Sequence, residues 1–367
     1  MRLAARTASI YSMFIALRDL QFAKGRFALL GSVIALMTFM VVMLSGLTAG
    51  LGSASVSAVG RLPVDHIALQ QPPNGQSASF STSALPADTA RQLAAQPGVA
   101  AAHPMGLATS QLTAGSSTQA VTVFGGDPAL YPGLRAGHQP GPGQIAVTRA
   151  LADDASLEPG DSEDLAGRQL TVTAILADTS FNHLPVVYTG IDTWQLIAHT
   201  DAITAVGLRL NGATAAQIGT ATNVHVISKQ SAFGAVGSYS AEQGSLNLMR
   251  VLLVAVSVLI VGSFFAVWTM QRSGDLAVVR ALGGSRAYLL RDALGQAALV
   301  LITGATAGAA AAAAAGLVAA RAAPFLLTWP TVTLPIAAMA GVGLLGAALS
   351  VRKVTNADPL TALGAVK

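Results

Sequence analysis

The sequence contains no cysteine and few charged residues. Without cysteine among its 367 residues, the chain forms no disulfides and no zinc–thiolate or iron–sulfur site on cysteine ligands. Only 10% of the residues are Asp, Glu, Lys or Arg, whereas soluble proteins carry about 25%. Hydrophobic residues make up 52% of the chain. The composition therefore predicts a membrane protein rather than a soluble one.

The few charges are unevenly distributed along the chain. Residues 52–249 carry thirteen acidic and seven basic side chains, a net charge of −6, together with all six histidines. The remainder carries fourteen basic and four acidic side chains, a net charge of +10. Because these basic residues flank apolar runs, the sequence pI of 9.7 indicates membrane-flanking charge and not affinity for nucleic acid.

Four apolar stretches are long enough to cross a bilayer, whose apolar core needs about 20 helical residues. They cover residues 27–51, 250–271, 293–320 and 334–351. The fourth is expected to begin near Leu334, because Pro324, Pro330 and Pro335 interrupt its start. The sequence thus predicts a membrane α-helical fold with four transmembrane helices, one before and three after a long hydrophilic insert.

The basic flanks predict the orientation of these spans. Three segments carry an excess of basic residues, namely 1–26, 272–292 and 352–367. With four spans, these segments must lie on the same side of the membrane. By the positive-inside rule that side is the cytoplasm. The insert, residues 52–249, and the short loop 321–333 are then extracellular. The first span is longer than the apolar region of a signal peptide, so we interpret it as a retained anchor in the cell membrane.

The insert is predicted to form an α+β domain. Short β-branched runs occur at residues 64–70, 119–125, 144–148, 169–176, 184–190, 203–210 and 223–228. Helical patterns lie between them at residues 85–96, where Asp88 is positioned to cap the first turn, and at 189–199. With no disulfides, this external domain must be stabilised by its own core, and its length is sufficient for one.

No catalytic or metal-binding motif is found in the sequence. The histidines lack short metal-ligand spacing, and the acidic cluster at residues 153–164 lacks the order of a Ca²⁺ loop, so we interpret it as a solvated turn. There is neither a G-x-S-x-G nor a phosphate-binding G-x-x-x-x-G-K-[ST] motif. The chain is therefore expected to be a non-catalytic protein with no intrinsic cofactor.

Two cytoplasmic segments have helical patterns. Residues 9–25 form an amphipathic helix pattern that suits the membrane surface. In the loop after the second span, a helix is predicted from Gly274 to Leu282, ending at Gly283, and a second helix is predicted to begin after Ser285. This short helix is either a simple connector or a docking element for a partner, and the pattern alone does not decide between them.

Residues 271–308 and two further segments resemble a known family. The loop and third span read QRSGDLAVVRALGGSRAYLLRDALGQAALVLITGATAG, the N-terminus contains ALRDLQFAKGRFALLGSVIALM, and the chain ends with VRKVTNADPLTAL followed by four residues. Residues 144–176, with their P-G-D turn, resemble the family's external domain. In order and in one-plus-three topology, these segments are similar to the FtsX/MacB-type (type VII) permeases of ABC transporters.

The resemblance implies partners and a mechanism. A permease of this family works as a homodimer with two copies of a cytoplasmic ATPase, which binds ATP and Mg²⁺. By position, the ATPase-coupling residues would be Asp275, Val279, Arg280, Ala281, Leu282 and Gly283. ATP-driven movement would reach the external domain by mechanotransmission and drive efflux of a hydrophobic or amphiphilic substrate. The external domain looks shorter than in tripartite pumps, and we expect no ATPase domain fused to this permease.

Within the family, the chain resembles the HrtB-type haem-exporter permeases of Gram-positive bacteria, and its Ala-rich, Lys-poor composition is compatible with a high-GC source. Haem is therefore the leading substrate. Two alternatives stay open. One is an FtsX-like transducer that activates a cell-wall hydrolase, and the other is a lipoprotein-releasing or antibiotic-resistance permease.

A haem-like substrate needs an apolar slot and an axial donor. Glu242, just before the second span, and Met249, seven residues later, are the candidate ligands. The simpler interpretation is that Glu242 is solvated and Met249 packs against neighbours. In the third span, Gly304 and Gly308 are spaced for close helix packing in the bilayer.

Overall fold

The computed structural model describes residues 24–237, 239–271, 274, 278, 283 and 285–355. The chain divides into two compact units. One contains Met1–Gly50 and Ser245–Lys367, and the other contains Leu51–Gly244. The first is helical and the second has mixed α and β structure. We refer to them as the helical unit and the α+β unit.

Helices and strands are numbered here in chain order. The helices are α1 (Lys24–Gly60), α2 (Thr89–Ala94), α3 (Arg149–Ala155), α4 (Ile191–Ala198), α5 (Ala215–Thr222), α6 (Tyr239–Gln271), α7 (Arg286–Ala319) and α8 (Trp329–Thr355). The strands are β1 (His66–Gln70), β2 (Val99–Ala114), β3 (Ser117–Gly126), β4 (Leu134–Gly137), β5 (Gln144–Thr148), β6 (Ser162–Leu165), β7 (Arg168–Leu176), β8 (Ser180–Phe181), β9 (Leu184–Thr189), β10 (Ala205–Leu210) and β11 (Val224–Ser228).

Helices α1, α6, α7 and α8 are long and apolar enough to cross a membrane. This confirms the predicted four-span fold with an α+β domain between the first and second spans. α1 and α6 extend beyond the predicted span limits, to Gly60 and from Tyr239. α8 begins at Trp329 and not near Leu334. Pro330 is tolerated because a first-turn residue needs no intrahelical N–H bond, and Pro335 lies inside the helix.

The backbones of α1 and α7 lie in direct contact. A Cβ atom added to Gly304 would lie 2.9 Å from the carbonyl oxygen of Gly31, and one added to Gly308 would overlap the carbonyl of Ala35. Neither α7 position therefore has space for a side chain. This confirms the close packing predicted from the glycine spacing, which allows dispersion contacts between helices in a bilayer.

The loop between α7 and α8 is anchored to the same helix pair. The ring of Phe325 fills the space that side chains would occupy at Gly46 on α1 and Gly316 on α7. The backbone N–H of Leu326 donates a hydrogen bond to the carbonyl of Gly46 at 3.1 Å. Phe325 and the backbone of Leu326 thus attach this loop to α1 and α7.

α6 is the least buried of the four long helices. In its most apolar window 17% of the residues are buried, against 44% in α7. Ser257, Val261 and Phe265 form its buried stripe at helical spacing. On the other side, Leu252 and Leu259 are exposed. α6 therefore presents an apolar face that the described residues of the helical unit leave exposed.

Within the described residues, the α+β unit contains an 11-stranded mixed sheet. The strand order is β11-β1-β10-β2-β3-β9-β5-β7-β4, β6 pairs with β2 and β7, and β8 pairs with β9. The β3–β9 and β5–β7 pairs are parallel, and the other pairs are antiparallel. All seven predicted strand runs are strands in the structure, whereas β2, β4, β6 and β8 were not predicted. β9 lies in the interior of the sheet, between β3 and β5.

The sheet is packed by two main hydrophobic clusters. One includes Phe124 and Tyr188, whose ring centroids are 5.2 Å apart. The other includes Trp194 of α4, which lies where side chains at Gly106 and Gly125 would be. These two glycines are cross-strand partners in β2 and β3. Trp194 can thus rest against the sheet because both strands lack a Cβ atom at the same register position.

The prediction that the Asp88 side chain caps α2 is wrong. α2 does begin after Asp88, but this residue has helical dihedral angles and makes no side-chain capping bond. A capping side chain usually requires an extended backbone at the N-cap. The Asp88 carboxylate instead accepts a hydrogen bond from the side-chain amide of Gln92, one turn later, at 2.7 Å.

Candidate functional site

Three polar side chains from distant segments meet within the α+β unit. Glu242 lies in the first turn of α6, and its Oε2 accepts a hydrogen bond from Ser55 Oγ of α1 at 3.3 Å. The same carboxylate oxygen lies 3.1 Å from Nε2 of His183. Ser55 Oγ and His183 Nε2 are 3.0 Å apart. A hydroxyl, an imidazole and a carboxylate therefore contact one another in a triangle.

His183 reaches this triangle because it lies in a tight hairpin turn. Phe181 of β8 pairs with Leu184 of β9, so Asn182 and His183 form a two-residue loop. Both loop residues have positive φ, +50° for Asn182 and +65° for His183. Two such residues are typical of the turn that best matches the twist of a β-hairpin. The hairpin thus presents the imidazole at its tip.

The backbone of this hairpin is hydrogen-bonded to α1. The N–H of Asn182 donates to the carbonyl of Ser55 at 2.9 Å, and the N–H of His183 donates to that of Ala54 at 3.0 Å. The N–H of Ser180 donates to Ser57 Oγ at 2.8 Å, and this hydroxyl donates to the carbonyl of Ser180 at 3.3 Å. We call the hairpin residues 180–185, together with Ser55, Ser57 and Glu242, the hairpin clamp.

The clamp is partly open to solvent. The side chain of His183 is 35% exposed and that of Glu242 is 25% exposed. Ion pairs with this much solvent contact contribute at most about 1 kcal/mol. The clamp is therefore held mainly by its four backbone-to-helix hydrogen bonds, and the side-chain triangle adds a connection from the hairpin to α6.

The triangle does not have the geometry of a hydrolase. In a Ser-His-acid catalytic arrangement, the serine and the acid bind different nitrogens of the imidazole. Here Ser55 and Glu242 both contact Nε2 of His183, and Ser55 Oγ also lies 3.1 Å from the carbonyl oxygen of Leu51. In the part of the chain that the structure describes, no three His, Cys, Asp or Glu residues are grouped to hold a metal ion.

The two candidate haem ligands fall in different units. Glu242 belongs to the α+β unit, where Ser55 and His183 engage its carboxylate. Met249 belongs to the helical unit, and 49% of its surface is exposed. Glu242 is thus not simply solvated, in contrast to the simpler interpretation. Haem ligation by Glu242 and Met249 stays a prediction.

Most of the predicted ATPase-coupling residues lie outside the described residues, namely Asp275, Val279, Arg280, Ala281 and Leu282. Gly283 is described, and it forms a turn with φ +93°. This left-handed conformation favours glycine, as expected for a residue that ends a helix. α7 begins at Arg286, directly after Ser285, which confirms the predicted start of the second helix. The coupling role of the segment stays a prediction.

The acidic cluster of the α+β unit forms hydrogen-bonded turns. Asp161 Oδ2 accepts from the N–H of Glu158 at 2.7 Å, and Asp164 Oδ1 accepts from the N–H of Gly167 at 2.9 Å. These carboxylates stabilise their own turns and do not converge on a common point. The structure agrees with the solvated turn that we inferred from the sequence.

Two models of protein families match the sequence. Residues 27–223 match the MacB-like periplasmic core domain, which is more than half of the chain, and residues 247–359 match the FtsX-like permease C-terminal domain. This chain belongs to the FtsX/MacB-type family of ABC transporter permeases. It is therefore a transport subunit of the cell membrane, and family membership implies a cytoplasmic ATPase as its partner.

Relatives match the FtsX/MacB-type permease over nearly its whole length. The "Putative hemin transport system permease protein HrtB" of Staphylococcus haemolyticus is 23% identical, and the alignment covers 97% of this chain and 100% of that protein. An uncharacterized ABC transporter permease of Mycobacterium tuberculosis is 27% identical over 96% and 99% of the two chains. The crystal structure of the periplasmic region of MacB from Actinobacillus actinomycetemcomitans aligns with a TM-score of 0.35 and 11% identity, over 48% of this chain and 92% of that one.

Proposed function

We propose that this permease exports a hydrophobic or amphiphilic molecule, with haem as the leading candidate. It would act as a homodimer with two copies of a cytoplasmic ATPase, and both termini would lie in the cytoplasm. ATP hydrolysis in the partner would move the helices, and their movement would reach the external domain by mechanotransmission. Haem is proposed because the relative from Staphylococcus haemolyticus is named as a hemin transport permease and aligns with this chain over its full length.

The hairpin clamp is the observation that best supports this mechanism. In it, the hairpin is hydrogen-bonded to the end of α1 at Ala54, Ser55 and Ser57, and its His183 contacts Glu242 of α6. The hairpin continues directly into β9, which lies inside the sheet. A displacement of either helix end would therefore reach the interior of the α+β unit through one short, hydrogen-bonded segment.

ATPase coupling can be tested with the predicted docking helix. The full chain is co-expressed with its cytoplasmic ATPase partner and reconstituted in nanodiscs, and ATP turnover is measured with and without haem. We expect Leu282→Glu to abolish permease-dependent stimulation of the ATPase while membrane insertion is unchanged. Normal turnover in this variant would refute the docking role of the segment.

The cargo can be tested separately from coupling. Purified permease should shift the Soret band of added haem, and a strain lacking the gene should be sensitive to haem until the intact gene is restored. A defect in cell separation would instead favour an FtsX-like transducer. Mislocalised lipoproteins or drug sensitivity would favour the lipoprotein-releasing or antibiotic-resistance alternative. The absence of both the spectral shift and the haem phenotype would exclude haem.

A further inference from the structure

The helical unit contains a groove between α1, α6 and α8 with a volume of about 420 Å³. Its wall is formed by apolar and small residues with one cationic side chain among them. Residues lining it include Val41, Ser45, Arg250, Val254, Leu334 and Ala338. The volume lies in the lower part of the range of about 300–1,000 Å³ that is usual for small-molecule sites.

Arg250 gives the groove one charged end. Among the described residues that line it, this is the one that carries a charge. Its Nη2 donates a hydrogen bond to Asn247 Oδ1 at 2.8 Å, and a guanidinium has five N–H donors. The side chain therefore keeps donors for a second acceptor. Its planar fork matches a carboxylate in a bidentate arrangement.

The position of Arg250 differs from that of an ordinary charge at the end of a span. Arginine side chains commonly extend from span ends towards water, with no ligand involved. Arg321, after the end of α7, is an exposed example. Arg250 is only partly exposed and borders the apolar wall formed by Val254 and Leu334. A cation at one end of an apolar groove complements an anionic head joined to an apolar body.

We propose that this groove binds one single-chain amphiphile with a carboxylate head. The carboxylate would bind Arg250, and the apolar chain would lie between α1, α6 and α8. One guanidinium balances one carboxylate, and the volume suits one chain better than the two chains of a phospholipid. This site is additional to Glu242 and Met249. It requires neither haem as the cargo nor ATP hydrolysis, so it can be tested even if the proposed export function fails.

The test uses the purified full chain in an uncharged detergent, with binding measured by native mass spectrometry. Palmitate is the anionic probe, and hexadecanol is its neutral counterpart of equal length. We expect one palmitate per chain and weaker binding of hexadecanol. Because the variant loses a charge-assisted hydrogen bond to the carboxylate, Arg250→Gln should weaken palmitate binding roughly tenfold to a hundredfold. Hexadecanol binding should not change.

Arg321→Gln is the matched control, because it removes the same charge outside the groove, and it should bind palmitate as the parent chain does. Ala338→Leu, which fills the groove, should weaken both probes. If Ala338→Leu misfolds, the comparison of Arg250→Gln with Arg321→Gln still tests the proposal. Equal palmitate binding in these two variants would overturn the proposal. Retention of phosphatidylglycerol with no palmitate bound would also overturn it, because the groove would then hold a bilayer lipid.

Discussion

Nε2 of His183 lies 3.1 Å from Oε2 of Glu242, and this contact joins the turn of a β-hairpin to the first turn of α6. The hairpin is at the same time hydrogen-bonded to the end of α1 through Ser55 and its neighbours. One small cluster therefore connects both helices that border the inserted domain. His183 lies in the turn that leads directly into β9. The geometry of the cluster is therefore linked to the interior of the sheet.

Removing the imidazole should loosen this connection without unfolding the domain. In His183→Ala the backbone bonds of the turn remain, so we expect a loss of about 1 kcal/mol or less, as for other half-exposed polar pairs. Glu242→Gln should have a similar effect. Because His183 and Glu242 act through one contact, we expect the double variant to be about as stable as the less stable of the two single variants. Thermal unfolding of the purified permease measures all three.

The control for this comparison is His103→Ala, because His103 contacts Asp127 at 3.3 Å elsewhere in the same unit. This variant should leave ATPase stimulation unchanged, whereas His183→Ala should reduce it. Equal stimulation in both variants would mean that the side-chain part of the hairpin clamp has no role in coupling.

Gly308→Ala should disrupt the contact between α1 and α7. Its new methyl group would overlap the carbonyl of Ala35, and overpacking of this kind costs about 1–3 kcal/mol. Gly295 lies on the same helix with nothing within 4 Å of its Cβ position. Gly295→Ala should therefore be neutral or slightly stabilising. Unfolding temperatures in detergent compare the two, and equal values would contradict the close packing.

Gly106→Ala should displace Trp194 from the sheet. The added methyl group would overlap the indole ring, and we expect a destabilisation of about 1–3 kcal/mol with a change in tryptophan fluorescence. Gly133 has nothing within 4 Å of its Cβ position. Gly133→Ala should therefore leave the fluorescence unchanged. An unaltered spectrum in Gly106→Ala would show that the ring does not depend on the paired glycines.

Alkaline pH should destabilise the α+β unit through Tyr188. Burial raises the pKa of its phenol above the ordinary value, against the hydrogen bond to Thr179, which lowers it. Since the raised pKa favours the neutral phenol in the folded state, its stabilisation is complete below the unfolded value of about 10 and is lost at higher pH. Tyr188→Phe should remove part of this alkaline loss. Unfolding midpoints against pH, with Tyr239→Phe as the control, test the assignment.

Local patterns predicted the spans and most strands, because length and alternation are read within a single segment. β2 escaped prediction because its 16 residues include Gly106, Pro104 and several alanines in place of a β-branched run. Pro104 would by itself argue against a strand. Pairing with β3 on one side and β10 on the other nevertheless forms one, and this pairing depends on residues far away in the sequence.

The candidate site was only partly predictable for the same reason. Glu242 was identified by its position beside a span, but Ser55 and His183 carry no local signal of their own. Asn182 gave a weak indication of a turn, because Asn is common where φ is positive. That the turn meets α1 and α6 follows from the packing of the whole unit, which no spacing in the sequence shows.

The contact of Gly308 with Ala35 implies that the helical unit has two parts of unequal stiffness. The backbones of α1 and α7 approach so closely that Gly308 has no space for a side chain, whereas only 17% of the most apolar window of α6 is buried. The segment predicted to meet the ATPase joins α6 to α7 in the chain. We therefore expect a push on that segment to displace α6, which carries Glu242 in its first turn, more readily than α7.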